Sequence, residues 1–274
     1  LSLGALAAVT QQADGRAYLG ESDPERPFMV EPRAEYGVLR ARQDFNGGAS
    51  TIGVIGSSLR RNLPGDGSFD FLTTSAFNGG IDWEHQWSNR TWAFFGDWAG
   101  SHVRGDSTAM IRLQRASNHF FQRPDSRGNG VDSSARAMSG YDWRMTVEKR
   151  RGQHWTGSVW AAEVSPGSEL NDAGCRTRQG VLDGGARVQY REITPGTLLR
   201  SYNVSLSTFH NWSHDAVAGS FSTAAWGNAH VAGSVGVNPN VEFNNFWRLD
   251  ANTQWHPETM DRTGTRGGPL MLQP

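Results

Sequence analysis

The chain has 274 residues, a formal net charge of −1, 11 tryptophans and 33 glycines. This near-neutral charge gives no argument for a nucleic-acid partner or an anionic surface. The single cysteine, Cys175, excludes an intramolecular disulfide and a cysteine-based zinc site, and no stretch approaches the roughly 18 apolar residues that a membrane helix needs.

Strands are predicted wherever apolar and polar residues alternate, because successive side chains of a strand point to opposite faces of a sheet. In chain order, the predicted strands span 1–10, 33–44, 50–60, 74–87, 90–103, 137–150, 153–165, 179–192, 197–211, 230–243 and 247–256. Many exceed the usual length of about five or six residues and match the roughly nine to eleven that a tilted strand needs to cross a bilayer.

The predicted connections alternate in length, which is typical of outer-membrane barrels. The long connections are 11–32, 61–73, 104–136, 166–178, 212–229 and 257–269, and the short ones are 45–49, 88–89, 151–152, 193–196 and 244–246. The one predicted helix, 107–118, is amphipathic and is expected to pack on a loop or to cap the lumen. Residues 217–226 are left open to a further strand or hairpin.

The alternation is clearest in residues 247–255, where every second side chain is apolar, with a tryptophan at each end, and the side chains between them are charged or amides. On a tilted strand these two indoles lie roughly 20 Å apart along a barrel axis, close to the apolar band of an outer-membrane barrel. The same design recurs in 81–87, 92–100 and 141–148. The aromatic residues predicted at the membrane interface are Trp83, Trp87, Trp92, Trp98, Tyr141, Trp143, Trp247 and Trp255.

The sequence contains no zincin, P-loop or nucleophile-elbow motif, and no catalytic residue, cofactor or metal site is predicted. His210 and His214 have a helical metal-ligand spacing but lack an evident third ligand. Glu169, Asn171 and Asp172 gather acceptors in one long connection, and they are candidate ligands for a cation or for sugar hydroxyls. The alternative, which we favour, is that they satisfy the loop's own amides.

Several separated motifs occur together in this chain: QDFNGG at 43–48 followed by STIG at 50–53, FFQRPD at 120–125, SPG through ND at 165–172, and RGGPL at 266–270. Their order and spacing resemble the bacterial domain-of-unknown-function family 5916, whose members carry a carbohydrate-binding-module-9-like sandwich ahead of a C-terminal outer-membrane barrel. The resemblance implies that 1–274 is a single partial outer-membrane barrel domain, truncated at both ends. It provides no established catalytic residues to carry over to this chain, and residues 212–229 depart from it by being longer than the family's usual connection.

The predicted fold is all-β, an antiparallel up-and-down transmembrane barrel fragment of about ten to twelve strands with one short helix in a long loop. The expected location is the bacterial outer membrane, with the lipid bilayer as partner, and the oligomeric state is left open. The expected function is non-enzymatic: passage, docking or surface display of a ligand, with carbohydrate as the candidate ligand.

Two alternatives stay open at this point. The first is a soluble β-sandwich or propeller that binds carbohydrate through exposed tryptophans, in which the apolar face of each strand would point inward. The second is a membrane-embedded hydrolase that uses a loop carboxylate, either Glu169 or Asp172, and it lacks a nucleophile motif.

Overall fold

The computed structural model describes residues 1–18, 26–172, 174–218 and 222–273. Its strands are β1 (Ser2–Thr10), β2 (Ala13–Ala17), β3 (Arg26–Glu31), β4 (Ala34–Phe45), β5 (Ser50–Arg61), β6 (Thr73–Trp87), β7 (Trp92–Gly105), β8 (Ala137–Lys149), β9 (Trp155–Val164), β10 (Val181–Glu192), β11 (Leu199–Ser213), β12 (His230–Phe243), β13 (Arg248–Asp250), β14 (Thr253–Trp255), β15 (Thr259–Asp261) and β16 (Met271–Gln273). Its helices are α1 (Ser107–Arg115) and α2 (Thr223–Ala229). The prediction of an all-β protein is confirmed, and none of the described helices is long and apolar enough to cross a membrane.

One antiparallel sheet of 12 strands dominates the fold, in the order β1-β4-β5-β6-β7-β8-β9-β10-β11-β12-β13, with β14 also paired to β12. Two further hairpins, β2–β3 and β15–β16, lie outside all the predicted strands. Because chain neighbours pair throughout the large sheet, its short connections gather at one end, here called the turn end, and its long ones at the other, the loop end. Among the described residues β1 and the β13–β14 segment remain edges, so the sheet is open rather than a closed barrel.

The predicted last strand, 247–256, is divided into β13 and β14, which both pair with β12. The two short strands keep one register, and the Ala251 amide still donates to the Pro239 carbonyl at 3.1 Å. Pro239 has no N–H to return that bond, so the ladder is interrupted opposite it. The alternating pattern therefore identified one strand correctly, while the proline on the neighbouring strand determined where its pairing breaks.

The possibility left open of a strand or hairpin at 217–226 is not realised in the residues that the structure describes there. Strand β11 runs on to Ser213, a single 3-10 turn follows, and α2 begins after Ser222, whose hydroxyl accepts from the Ala225 amide at 3.1 Å. This side-chain cap satisfies one of the free N–H groups at a helix start and favours helix over strand. Residues 219–221 of the predicted segment lie outside the described part of the chain.

The sheet has two chemically different faces. Directly opposed residues of an antiparallel ladder point to the same side, so the pairing register assigns each side chain to one face. One face, here called the apolar face, includes Leu39, Ile52, Ile81, Trp98, Val147, Val159, Val188, Leu206, Val237 and Leu249. The other, the polar face, includes Arg40, Asp82, Asp97, Arg144, Asp183, Arg187, Asn203, Asn240 and Asp250.

The buried core lies on the polar face at the loop end. Helix α1 starts at Asp106, whose carboxylate accepts from the Thr108 amide at 3.1 Å, and it packs Met110 against Leu59 and Val103 of the sheet. All three apolar side chains are fully buried. The helix ends at Arg115, earlier than predicted, because the next residues turn away. Helix α1 therefore covers part of the polar face at the loop end.

Candidate functional site

The apolar face is uncovered between its two ends. Leu39, Val159 and Trp247 have exposed fractions of 67%, 55% and 76%, although they are large hydrophobic side chains. At the loop end one described helix touches this face, where Trp226 of α2 meets Trp212 with ring centroids 5.3 Å apart. An apolar surface that extends across every strand of a sheet is far larger than the patches that soluble monomers usually leave exposed.

All eight aromatic residues predicted at a membrane interface point to the apolar face. At the turn end Trp87 and Trp92 stack with ring centroids 6.2 Å apart. Toward the loop end the Tyr141 hydroxyl and the Trp143 indole N–H both donate to Glu163, each at 2.9 Å. Tyr141 and Trp143 thus combine an apolar ring with a polar group that has a hydrogen-bond partner. Their contact with lipid stays a prediction.

Further aromatic residues continue the turn-end row and were not predicted as part of it. Trp155 meets Tyr190 with centroids 4.9 Å apart, and Tyr190 lies 5.9 Å from Tyr202. Each belongs to a different strand, and the register brings all three to the apolar face. The sequence signal was weak because these strands carry fewer aromatic residues than 81–87 or 247–255.

The polar face holds ion pairs between strands that are not direct neighbours. Arg40 of β4 reaches across Gly53 of β5 to a two-point hydrogen bond with Asp82 of β6. A side chain at Gly53 would displace this ion pair, which lies over the glycine. The Arg144 guanidinium lies 4.4 Å from the centre of the Trp160 ring. Arginine suits both contacts because its planar fork pairs with carboxylates and stacks on rings.

A cavity of about 240 Å³ opens on the polar face. Side chains from five successive strands line it, from Arg42 on β4 to Arg144 and Thr146 on β8, with Asp82 and Asp97 between them. Such convergence across five strands makes this part of the polar face concave, and half of its ten lining residues are charged.

Glu169, the first of the three candidate loop ligands, is buried to 2% exposure over the polar face. Its carboxylate faces His119 Nε2 at 2.9 Å and accepts from the Asn171 amide at 2.7 Å, and its own amide donates to Ser101 Oγ at 2.9 Å. Burial alone would raise the pKa of Glu169. The hydrogen bonds from His119, Asn171 and Asn118 outweigh burial and lower this pKa below its usual value.

His119 lies between two acceptors, since its Nδ1 is 2.8 Å from the Pro166 carbonyl and its Nε2 faces Glu169. These two contacts close the 165–172 loop onto the chain after α1.

The other two candidates point elsewhere. The Asn171 side chain accepts from the Arg176 amide at 2.6 Å, within its own loop. Asp172 forms an ion pair with Arg61 at 2.8 Å and accepts from the Thr73 hydroxyl at 2.7 Å, so it joins the loop to the ends of β5 and β6. The three acceptors do not converge on one open point. Their role as ligands for a cation or a sugar stays a prediction.

A second buried ion pair, absent from the sequence analysis, joins Arg123 to Asp215. Asp215 also accepts from Ser213 Oγ at 2.6 Å and from the Arg127 amide at 2.8 Å. Burial would raise the pKa of Asp215, and these hydrogen bonds together with the Arg123 charge lower it. Arg123 belongs to the 120–125 motif, but nothing in the sequence indicated that its partner would be Asp215, 92 residues away.

The two histidines with helical spacing do not face each other. His210 Nδ1 lies 2.9 Å from His230 Nε2, and His214 Nε2 lies 2.9 Å from Glu163. In the described ranges no three histidine, cysteine or acidic residues are grouped so that they could hold a metal ion.

The family model of DUF5916, a domain of unknown function, matches residues 1–262 of the chain. The chain belongs to this family. No curated protein and no solved structure matches it.

Three of the four motifs on which the resemblance was based meet at the loop end in three dimensions. The 120–125 and 165–172 motifs meet through His119, next to the first of them, and Glu169. The 266–270 motif lies beyond the matched range, yet the Leu270 amide donates to Asp125 at 2.6 Å. The remaining motif, 43–48, forms a short connection at the turn end, where Gly47 has φ +62°.

Proposed function

We propose that this chain forms part of the wall of an outer-membrane β-barrel, with its apolar face against lipid and its polar face toward an aqueous interior. The proposed role is non-enzymatic: passage, docking or surface display of a ligand. The observation that carries the proposal is the apolar face itself, uncovered between its ends and bordered by aromatic residues, on strands whose other face is charged.

The dimensions of the sheet support this proposal. Strands β4 to β12 are 10 to 15 residues long, enough for a tilted strand to cross the hydrocarbon layer. A bilayer does not tolerate unpaired backbone groups, so β1 and β14 each need a pairing partner in a membrane. The proposal therefore includes closure of the sheet by strands in addition to those described.

The two alternatives fit the geometry less well. A soluble sandwich would pack a second sheet on the apolar face, and the described part of the chain places none there. A hydrolase would need an accessible carboxylate, whereas Glu169 is buried with both oxygens hydrogen-bonded and Asp172 is paired with Arg61.

Tryptophan fluorescence in vesicles tests the proposal. The protein is reconstituted in phosphatidylcholine vesicles whose acyl chains carry bromine, which quenches indoles by contact. We expect strong quenching, reduced by Trp98→Phe on the apolar face and unchanged by Trp160→Phe on the polar face. A protein that stays soluble and monomeric without detergent, with unquenched indoles, would refute the proposal.

A further inference from the structure

A small cavity at the loop end lies between the segment before β10 and the β15 hairpin. Its volume is about 110 Å³, and it is lined by Asn118, Arg178, Gln179, Met260 and Arg262 among others. We propose that this cavity binds the carboxylate end of a hydroxylated organic acid, such as a sugar acid. The inference names a ligand class for the proposed docking role and rests on that part of the proposed function.

Gln179 is the first reason to assign a ligand here. Its backbone amide donates to the Asn118 carbonyl at 3.2 Å, which fixes the residue in place, and the whole residue is 1% exposed. Neither Nε2 nor Oε1 of its side chain has a hydrogen-bond partner among the described residues. A buried amide without partners destabilises a fold, and Gln179 lines the cavity, so a polar group bound beside it would satisfy this amide.

Arg262 is the second reason. Its guanidinium donates to the Gly180 carbonyl at 2.7 Å, and within the described ranges no carboxylate lies within salt-bridge distance of it. Burial and the positive charges of Arg123 and Arg178 outweigh the opposing charge of Asp215 and lower the pKa of Arg262 to about 10. An arginine in this environment gains from a bound anion.

The charges that line the cavity select the kind of anion. Arg178 and Arg262 are positive and Asp261 is negative, which leaves one net positive charge. The Asp261 carboxylate is already engaged by the Thr263 amide at 2.7 Å and the Gly264 amide at 3.0 Å. One net positive charge is balanced by a carboxylate, and a guanidinium can hold a carboxylate through two parallel hydrogen bonds.

The other residues that line the cavity determine which chemical groups of the ligand can lie beside its carboxylate. The Gln179 amide offers both donors and an acceptor, which suits a neighbouring hydroxyl group. Val181, Val231 and Met260 provide apolar contacts for carbon-bound hydrogens. The cavity is smaller than the roughly 150 Å³ that accommodates benzene in an apolar protein cavity. It therefore holds the acidic end of a ligand, and the rest of a larger molecule would project outward.

Calorimetric titration of the intact protein in detergent with D-glucuronate tests the inference. Saturable binding is expected for glucuronate, with D-glucose at least tenfold weaker because it lacks the carboxylate. Gln179→Met and Arg262→Gln should each weaken glucuronate binding at least tenfold. Arg90→Gln, which changes an arginine at the turn end, serves as the matched control and should leave binding unchanged.

Thermal unfolding separates binding from folding. Gln179→Met replaces an unpaired buried amide with an apolar side chain of similar shape, so its melting temperature should equal or exceed that of the wild type while binding is lost. Absence of glucuronate binding, or binding unchanged in both cavity variants, would overturn the inference. Equal binding of inorganic phosphate would overturn the carboxylate assignment. Because no bilayer is used, these outcomes are independent of the vesicle test of the barrel wall.

Discussion

The two faces of the sheet differ in what covers them. The polar face is covered at the loop end by α1 and by the 165–172 loop, which bring buried ion pairs and hydrogen bonds onto it. The apolar face has no such cover between its ends, although it carries the larger hydrophobic side chains. Folding in water buries apolar surface. The proposed function accounts for the uncovered apolar face by placing lipid rather than water against it.

The largest expected effect concerns the buried ion pair over the polar face. Asp215→Ala leaves Arg123 buried without its carboxylate and should lower the free energy of unfolding by about 3–5 kcal/mol. Urea unfolding of the reconstituted protein measures this change. The control, Asp66→Ala, removes an exposed carboxylate that contacts Ser68 in its own turn, and its effect should be clearly smaller. Equal effects would mean that the loop end is not a cooperative part of the fold.

A pair of adjacent residues on β9 compares the faces directly. Val159→Arg places a charge on the apolar face and should destabilise the membrane-inserted protein by about 2–4 kcal/mol, the range for arginine at the bilayer midplane. Ser158→Arg places the same charge on the polar face, opposite Glu148 and Arg187, and should have little effect. Unfolding from vesicles gives both values. A small effect of Val159→Arg would contradict a lipid-facing apolar surface.

The Glu169–His119 contact should make the loop end sensitive to acid. The pKa of Glu169 is lowered in the folded protein, so its contribution to stability is complete above the unfolded value of about 4.3 and is lost as the pH falls through the folded value. Glu169→Gln should lower the free energy of unfolding by about 1–3 kcal/mol at pH 7. The difference from the wild type should shrink at acid pH. A difference that stays constant between pH 7 and pH 3 would contradict this account.

The smallest effect is expected at the turn end, outside both faces. Gly47 has φ +62° and open space around a Cβ, so Gly47→Ala changes the backbone preference alone and should cost roughly 1 kcal/mol. Gly56→Ala on the apolar face is the matched control, because its nearest neighbour is the Asn78 carbonyl at 3.9 Å. Equal stability of the two variants would show that the turn does not depend on a left-handed residue.

The sequence predicted the large sheet well because each strand carries its own alternation. It predicted α1 for the same reason, since the helical period is local. The missed features depend on neighbours in space: the break opposite Pro239, the helix that Ser222 caps, and the contacts between residues far apart in the chain. His119 and Glu169 are separated by 50 residues, and nothing local in either one identifies the other.

The candidate site shows the same limit. Glu169, Asn171 and Asp172 were recognisable as a group of acceptors, but their partners lie on other connections and strands. The cavity beside Gln179 was not predictable at all, because its lining comes from four separate parts of the chain. A buried glutamine in a connection has no distinguishing mark in the sequence.

Nitroxide labels along β9 test the central claim most directly. Ser158, Val159, Trp160 and Ala161 are replaced one at a time by cysteine in a Cys175→Ser background, labelled, and reconstituted in vesicles. We predict that collisions with dissolved oxygen dominate at 159 and 161 and that collisions with a water-soluble nickel chelate dominate at 158 and 160. Equal access of the chelate to all four positions would contradict a lipid-facing apolar surface.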